Sequence, residues 1–570
     1  MKALRKLLNT VLNVLAGGSF IAMVLLTCWQ VFTRYVLSNP YLWSEELVGY
    51  LFAWMSLFGA CLVTGERGHM NIPLLVERVK PTMQKVLSIF AEVIACVFAI
   101  VILVYGGVQI SSLAMGQMTS SLGVPIGVFY VVMPVCGVLI ALYTIILVVM
   151  LVLMALGVPI AYSIAISSLA AILQTVPLDV SVLTAAQRTF VGMSKFSLTA
   201  IPFFILAGNL MNQGGIAKRL VDFVMAILGK LPGALLVTNV GTNALFGAIS
   251  GSASAAAAAV GSMVREGEEE AGYDPAVCAA TNAASAPSGL LIPPSNALIT
   301  YSLASGGTSV AALFMAGYVP GILWALMCVI GAIIIAKKKG YKGTPGKFSW
   351  SNLGKKTLAA IPSLSLIIVV IGGIIAGIFT ATEGSAIAVV YALILGICYK
   401  NVTLKGLWKI IVDSAKMSGM VIFIIGVSNI LGWVMAFTQI PQAISAALLG
   451  ITNNQIVILL IMNLILLISG TFMDVTPAIL IFTPLFLPVV KTFGMHPVQF
   501  GLILVYNLCI GNITPPVGNT LFVGIKIGKT TLGKVMPYML IYYALILIGL
   551  MLVTYIPAVV MGLPMAMGLV

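Results

Sequence analysis

Apolar residues run along this chain in blocks of about 20 or more, the length that crosses a hydrocarbon core as a helix. Short polar turns separate the blocks. Four of them open the chain, at about 11–37, 43–64, 85–107 and 126–149. They predict a small four-helix section over 1–149, followed by a larger section over 150–570. Allowing for loops, the chain has room for roughly 14 to 16 spans or half-spans, and about 15 are expected. The expected fold class is an all-α polytopic membrane protein.

One stretch breaks the rhythm. Val93 to Leu178 holds no Asp, Glu, Lys or Arg, and about 128–173 offers no polar loop. A single helix of that length would reach about 70 Å, more than twice the core thickness. Two spans must therefore join there, near Met150 or at Gly157-Val158-Pro159. A tight turn in lipid leaves backbone groups unsatisfied. The expectation is two polypeptides, or two segments around a missing linker, joined end to end; an intact-mass measurement tests it.

The larger section repeats itself. Ile249-Ser250-Gly251 recurs as Ile468-Ser469-Gly470, a shift of 219. Asn209 has a counterpart in Asn429, a shift of 220. Pro293-Pro294-Ser295-Asn296 has one in Pro515-Pro516-Val517-Gly518-Asn519, a shift of 222. Three matches in one order at a nearly constant offset indicate duplication. The halves are expected at about 150–336 and 355–570, around a basic loop at 337–350. A duplicated membrane domain interrupted at matching places is the pattern of a secondary transporter.

Composition narrows the class further. Hydrophobic residues make up 61% of the 570, and charged ones 8%, against about a quarter charged in soluble proteins. A soluble enzyme, a disordered chain and a nucleic-acid binder are excluded. The net charge of +14 sits mostly in short loops, where it sets orientation. Lys2, Arg5 and Lys6, the 65–84 loop and Lys337–Lys342 are all expected in the cytoplasm. The eight cysteines are scattered without a CxxC pair and read as small core residues. No organic cofactor is expected.

Chemistry is expected at the breaks. Phe246–Ser254 is small, polar and glycine-containing within an apolar context, as a hairpin tip or broken helix requires; close packing of small residues is the alternative. Ser285–Asn296 carries three prolines and Gly289, which no regular helix accommodates. Its counterpart is Gly511–Asn519. Unwound backbone at membrane depth must be buried or line a cavity.

Asp474 is an ionisable group between apolar runs, which makes it a functional candidate by default. It precedes Pro515 by 41 residues, as Ser252 precedes Pro293, so it corresponds to Ser252. A carboxylate among hydroxyls and carbonyls suits a hard cation such as Na⁺; an interfacial helix cap is the alternative. Glu383 reads equally as a helix-start residue. Glu266, Glu268, Glu269, Glu270 and Asp274 read as a solvated acidic loop, and His69 and His496 as interfacial or turn residues. Serine hydrolysis is disfavoured by the lack of an intramembrane His, and no Walker motif is present.

Residues 43–72, with Trp43-Ser44-Glu45-Glu46-Leu47, Trp54, Gly59-Ala60 and Arg67-Gly68-His69-Met70-Asn71-Ile72, resemble the Q subunit of tripartite ATP-independent periplasmic (TRAP) transporters. The larger section resembles the M subunit, through Gly157–Ala161, Ile201-Pro202-Phe203, Ala207-Gly208, Phe246–Ser252, Ile292–Ser295, Phe472-Met473-Asp474, Phe500-Gly501 and Ile513–Gly518. The resemblance implies a multi-pass protein of the bacterial inner membrane that imports small carboxylates and is not an enzyme. It implies a Na⁺ gradient as driving force, a periplasmic substrate-binding protein as partner, Q packed on M, and an elevator movement carrying two helical hairpins. By motif, the implied sodium-binding residues are Ser250, Ser252, Gly289 and Pro294 in the first repeat, and Asp474, Thr476, Gly511 and Thr514 in the second. Substrate is implied near Ser252, Ser254, Ser295 and Asn296. The stretch 286–309 looks most like the sialic-acid branch; C4-dicarboxylates and sugar acids are the alternatives. Two features depart from the family pattern: Ala255–Ala258 replaces a segment that is acidic in some relatives, and the membrane-spanning connector of fused relatives is not visible. Competing readings are a stand-alone Na⁺/anion elevator, an intramembrane protease and a structural scaffold.

Overall fold

The computed structural model of the chain describes residues 2–35, 37, 42–66, 94–136, 165, 168–169, 172–173, 176–213, 216–343, 349–399, 403–437, 454–471, 473–515 and 518–570. The expected junction near Met150 and Gly157–Pro159, most of the 65–84 loop with His69, and Phe472, Pro516 and Val517 lie outside the described residues.

The described elements are helical. In chain order they are α1 Lys2–Tyr35, α2 Leu42–Glu66, α3 Ile94–Ala114, α4 Ile126–Cys136, α5 Leu178–Met193, α6 Ala200–Gln213 and α7 Ile216–Leu228. Then come α8 Ala234–Ser250, α9 Ala253–Glu270, α10 Pro275–Ser285, α11 Asn296–Ala304, α12 Val310–Lys339, α13 Trp350–Ile375 and α14 Ala381–Cys398. The remainder are α15 Leu404–Phe437, α16 Gln455–Gly470, α17 Val475–Thr492, α18 Pro497–Gly511, α19 Asn519–Ile527, α20 Leu532–Tyr555 and α21 Pro557–Ala566. Among the described residues, nine helices are long and apolar enough to span a membrane. The chain is an all-α polytopic membrane protein.

Two compact units form. The first takes in Met1–Phe203 and Leu404–Ile440. In it α15 packs against α1, α2 and α5. Close approach rests on glycine: a Cβ on Gly59 of α2 would lie 2.9 Å from the Gly419 Cα of α15. One on Gly192 of α5 would lie 3.1 Å from the Gly426 Cα. Without a hydrophobic force between helices in lipid, small residues that bring backbones together supply much of the packing. Glu46 accepts hydrogen bonds from the backbone N–H groups of Ser120, Ser121 and Leu122 at 3.1, 2.8 and 3.2 Å, pinning the uncharged turn between α3 and α4 to α2.

The second unit spans Phe204–Thr403 and Pro441–Val570 and carries both interrupted segments. Helices α8 and α9 form one hairpin, α16 and α17 the other. Each second arm packs on the half-helix that follows the break in the other repeat: α9 on α19, and α17 on α11. Each first arm meets the helix before the break in its own repeat. A Cβ on Gly289 would lie 2.2 Å from the Gly247 Cα, and one on Gly511 2.2 Å from the Gly470 carbonyl carbon. Buried asparagines tie the same pairs. Asn243 of α8 donates to the Asn282 oxygen of α10 at 3.0 Å, and Asn507 of α18 donates to the Asn463 oxygen of α16 at 2.8 Å.

One expectation changes and one alternative is resolved. The acidic stretch is not a loop, because α9 continues through Glu270, and Glu268 is buried while Glu266, Glu269 and Glu270 are exposed. The helix-start reading of Glu383 holds: it closes a capping box with Thr380 at the start of α14, accepting from the Thr380 N–H at 2.7 Å.

Candidate functional site

At the first tip α8 ends in Gly251, whose φ of +60° is the left-handed conformation glycine adopts without penalty. The chain reverses there, and Ser252 caps α9 by accepting the Ala255 N–H at 3.4 Å. The Ser250 hydroxyl lies 3.4 Å from the Gly247 and Ser252 carbonyls, and the Ser252 and Ser254 hydroxyls are 3.3 Å apart. Asn296, at the start of α11, donates to the Gly251 carbonyl at 3.5 Å. The tip therefore abuts the first break.

That break is built from a single turn, Ser288–Leu291, then Ile292 in extended conformation and a cis Pro293–Pro294 bond. Ser295 restarts the helix by accepting the Leu298 N–H at 3.3 Å, and it donates to the Leu290 carbonyl. Its hydroxyl is thus committed to backbone and fully buried.

The second tip repeats this plan with a charge in it. Asp474 occupies the N-cap position of α17, yet its side chain makes no capping hydrogen bond. Its carboxylate is instead faced by the Val475 N–H and by the amide of Asn519, the first residue of α19. Asn519 beside Asp474 parallels Asn296, whose amide meets the Gly251 carbonyl next to Ser252. Thr476 lies in the first turn of α17. At the second break, the Thr514 hydroxyl donates to the Ile510 carbonyl at 2.6 Å, and Tyr543 donates to the Ile513 carbonyl at 2.6 Å. The Thr520 N–H donates to the Asn512 carbonyl at 3.1 Å, closing the interrupted segment on itself.

The structure groups Ser250, Ser252, Ser254 and Asn296 at one tip and places Asp474 against the second break. Pro294, Gly289, Gly511 and Thr514 lie within the breaks, and Gly289 and Gly511 are also the points of backbone contact with the hairpins. Sequence reasoning missed Asn512, Asn519 and Thr520. The signal for Asn519 was present, since it is the repeat partner of Asn296.

Three oxygens here have no protein partner while being sealed from solvent: Asn296 Oδ1, Asn512 Oδ1 and Thr520 Oγ1. A buried polar atom without a hydrogen bond is costly, so a group that supplies positive charge is favoured beside it. The donor set is all oxygen, the chemistry of a hard cation such as Na⁺. Helices also begin at these points. The N-termini of α9 and α11 adjoin at the first tip and those of α17 and α19 at the second, and helix N-termini favour anions.

Paired hairpins facing paired broken helices are the arrangement of a secondary transporter. The family model described as the DctM component of the tripartite ATP-independent periplasmic transporter matches residues 147–559, and that of the DctQ component matches residues 23–154. The chain is 48% identical to the uncharacterised protein YgiK of Salmonella typhimurium, over 72% of this chain and 95% of that one. It is 32% identical to the isethionate TRAP transporter permease protein DctMQ of Oleidesulfovibrio alaskensis, over 95% of this chain and 93% of that one. It is 27% identical to the sialic acid TRAP transporter permease protein SiaT of Haemophilus influenzae, over 98% and 99%. The chain belongs to the TRAP transporter family, with the Q and M sections joined. The last two relatives align with both sections along a single chain.

Proposed function

We propose that this chain is the membrane permease of a Na⁺-driven importer of a small organic acid, fed by a periplasmic substrate-binding protein. The observation that carries the reading is that each tip meets a break through an asparagine: Asn296 donates to the Gly251 carbonyl, next to Ser252, and Asn519 faces Asp474. Carbonyls at the ends of α8, α10, α16 and α18, together with Asp474, supply the oxygen donors for Na⁺. The four helix N-termini favour the substrate's anionic group. Moving one hairpin pair with its bound ion and substrate is an elevator step, and it needs no enzymatic chemistry.

The proposed orientation places Lys2, Arg5, Lys6 and the Lys337–Lys342 run in the cytoplasm of a bacterial inner-membrane protein. Sialic acid is the leading substrate, supported by the likeness of residues 286–309 to that branch and by similarity to SiaT. The similarity to an isethionate permease keeps other small anions in view, as do C4-dicarboxylates and sugar acids within the family. The test is uptake of labelled sialic acid into proteoliposomes, with and without an inward Na⁺ gradient and a cognate periplasmic binding protein. Uptake that requires both supports the whole reading. Uptake with Na⁺ alone points to a stand-alone elevator. No uptake by folded protein removes sialic acid and moves the test to isethionate, C4-dicarboxylates and sugar acids.

A further inference from the structure

Glu268 lies on the last turn of α9 and is only 4% exposed, although its neighbours Glu266, Glu269 and Glu270 face solvent. It lines a cavity of about 20 Å³, enough for a single water. Gly261, Arg265, Cys278 and Asn282 share the wall, and Gly524 and Gly528 of the α19 region close it. Arg265 lies at the rim, where it donates to Glu269 at 2.6 Å and to the Ile527 carbonyl at 2.6 Å. One carboxylate oxygen of Glu268, Oε1, has no partner, and neither has the Nδ2 of Asn239, a fully buried residue of α8.

The surroundings suit a proton better than a metal ion. The groups facing the carboxyl are donors, the Cys278 thiol and the Asn239 amide. The amide oxygens of Asn239 and Asn282 already accept from Asn243 at 2.7 and 3.0 Å, which occupies one lone pair of each. The Arg265 guanidinium stands in the same wall and repels a second cation.

We propose that Glu268 is a proton-binding site, at which a proton from solvent water adds to a carboxylate oxygen and leaves by the same cavity. The site is separate from the hairpin tips. Burial pushes the Glu268 carboxyl up to about 7; the nearby Cys278 thiol and Asn239 amide oppose this rise and the Glu269 charge adds to it. The other titratable groups around it are Tyr273 in the following turn, whose hydroxyl burial pushes up, and Tyr542 of α20. From α19 the wall is Gly524 and Ile527, neither of which titrates. On α7, Asp222 is paired with Lys356, Arg219 lies over Tyr399, and Lys218 is exposed.

The test is infrared difference spectroscopy on the purified full-length protein, between about pH 6 and about pH 8, in sodium-free buffer. The C=O band of a protonated carboxyl should change about tenfold in wild type, following the fraction protonated. It should vanish from the difference spectrum of Glu268→Gln. Cys278→Ala, which removes a donor to the charged form, should move the midpoint upward. Should Glu268→Gln not fold, an unshifted midpoint in Cys278→Ala overturns the proposal. Identical wild-type and Glu268→Gln difference spectra overturn it as well. So does loss of the band at about pH 6 on adding NaCl in place of choline chloride, which would make this a Na⁺ site. The readout needs no transport, so it stands or falls independently of the import reading.

Discussion

Asp474 and Ser252 hold equivalent places at the two tips, and only Asp474 carries charge. A carboxylate faced by an amide and one backbone N–H retains lone pairs for a cation. Asp474→Asn should therefore weaken Na⁺ activation of uptake by at least about tenfold, roughly 1.4 kcal/mol, without loss of folded protein. Near-normal Na⁺ dependence in the mutant would remove Asp474 from the ion site. Its correspondence to Ser252 was legible from the equal spacing of 41 residues to the two proline breaks. The repeat marked Asn519 as the partner of Asn296, but nothing in linear spacing says that its side chain, 45 positions on, returns to Asp474. Glu268 was misread for a related reason. Surrounded by other glutamates it looks solvated, but Val260, Gly261, Val264 and Glu268 form one buried stripe at helical spacing. That stripe was visible once α9 was allowed to run on through the acidic residues.

At the level of elements, the hairpins are seated backbone to backbone. Gly289 and Gly511 touch Gly247 and Gly470 so closely that a methyl group cannot enter without displacing a helix. Gly289→Ala should cost about 1–3 kcal/mol and lower the melting temperature in detergent; an unchanged melting temperature would show that the hairpin yields freely. In the first unit, Gly59→Leu should separate α2 from α15, because the Gly59 Cβ position lies 2.8 Å from the Ala415 carbonyl oxygen. A monodisperse size-exclusion peak at wild-type yield would contradict that role. The breaks themselves were readable, since proline and glycine clusters in an uncharged apolar run have few other uses in a membrane. Which hairpin arm meets which half-helix was not, because α9 with α19 and α17 with α11 are pairings across repeats.

Across the molecule, pH acts through Glu268. A carboxyl whose folded value is raised to about 7 binds its proton more tightly in the folded state. The stabilisation is complete below the unfolded value of about 4.3 and is lost as pH rises through about 7, up to about 4 kcal/mol. The melting temperature should therefore fall between about pH 5 and about pH 8 in wild type and stay flatter in Glu268→Gln; parallel curves would refute the assignment. Asp274 does not contribute in this window. Desolvation raises its carboxyl, but the Ala276 N–H, Lys339 and Tyr538 outweigh that and hold it below the usual range, so it stays charged. Lys339, bonded to Asp274 at 3.0 Å, places this end of α9 and α10 on the side of the basic run. Cysteines introduced at exposed Glu266 and Lys338 should be labelled from the same face of the membrane by an impermeant thiol reagent; labelling from opposite faces would overturn that orientation.

The sequence by itself determined the membrane class, the duplication and the places where helices break. Lipid enforces these through local requirements: long apolar runs, and backbone that must find its own partners. Only the tertiary structure decided that Asp474 faces Asn519, that Gly289 and Gly511 are contact points, and that one glutamate of an acidic cluster is buried. Those are contacts between residues 40 or more positions apart, or the outcome of how a helix is turned toward its neighbours. Such facts depend on how separate elements pack, and no single stretch of residues carries them.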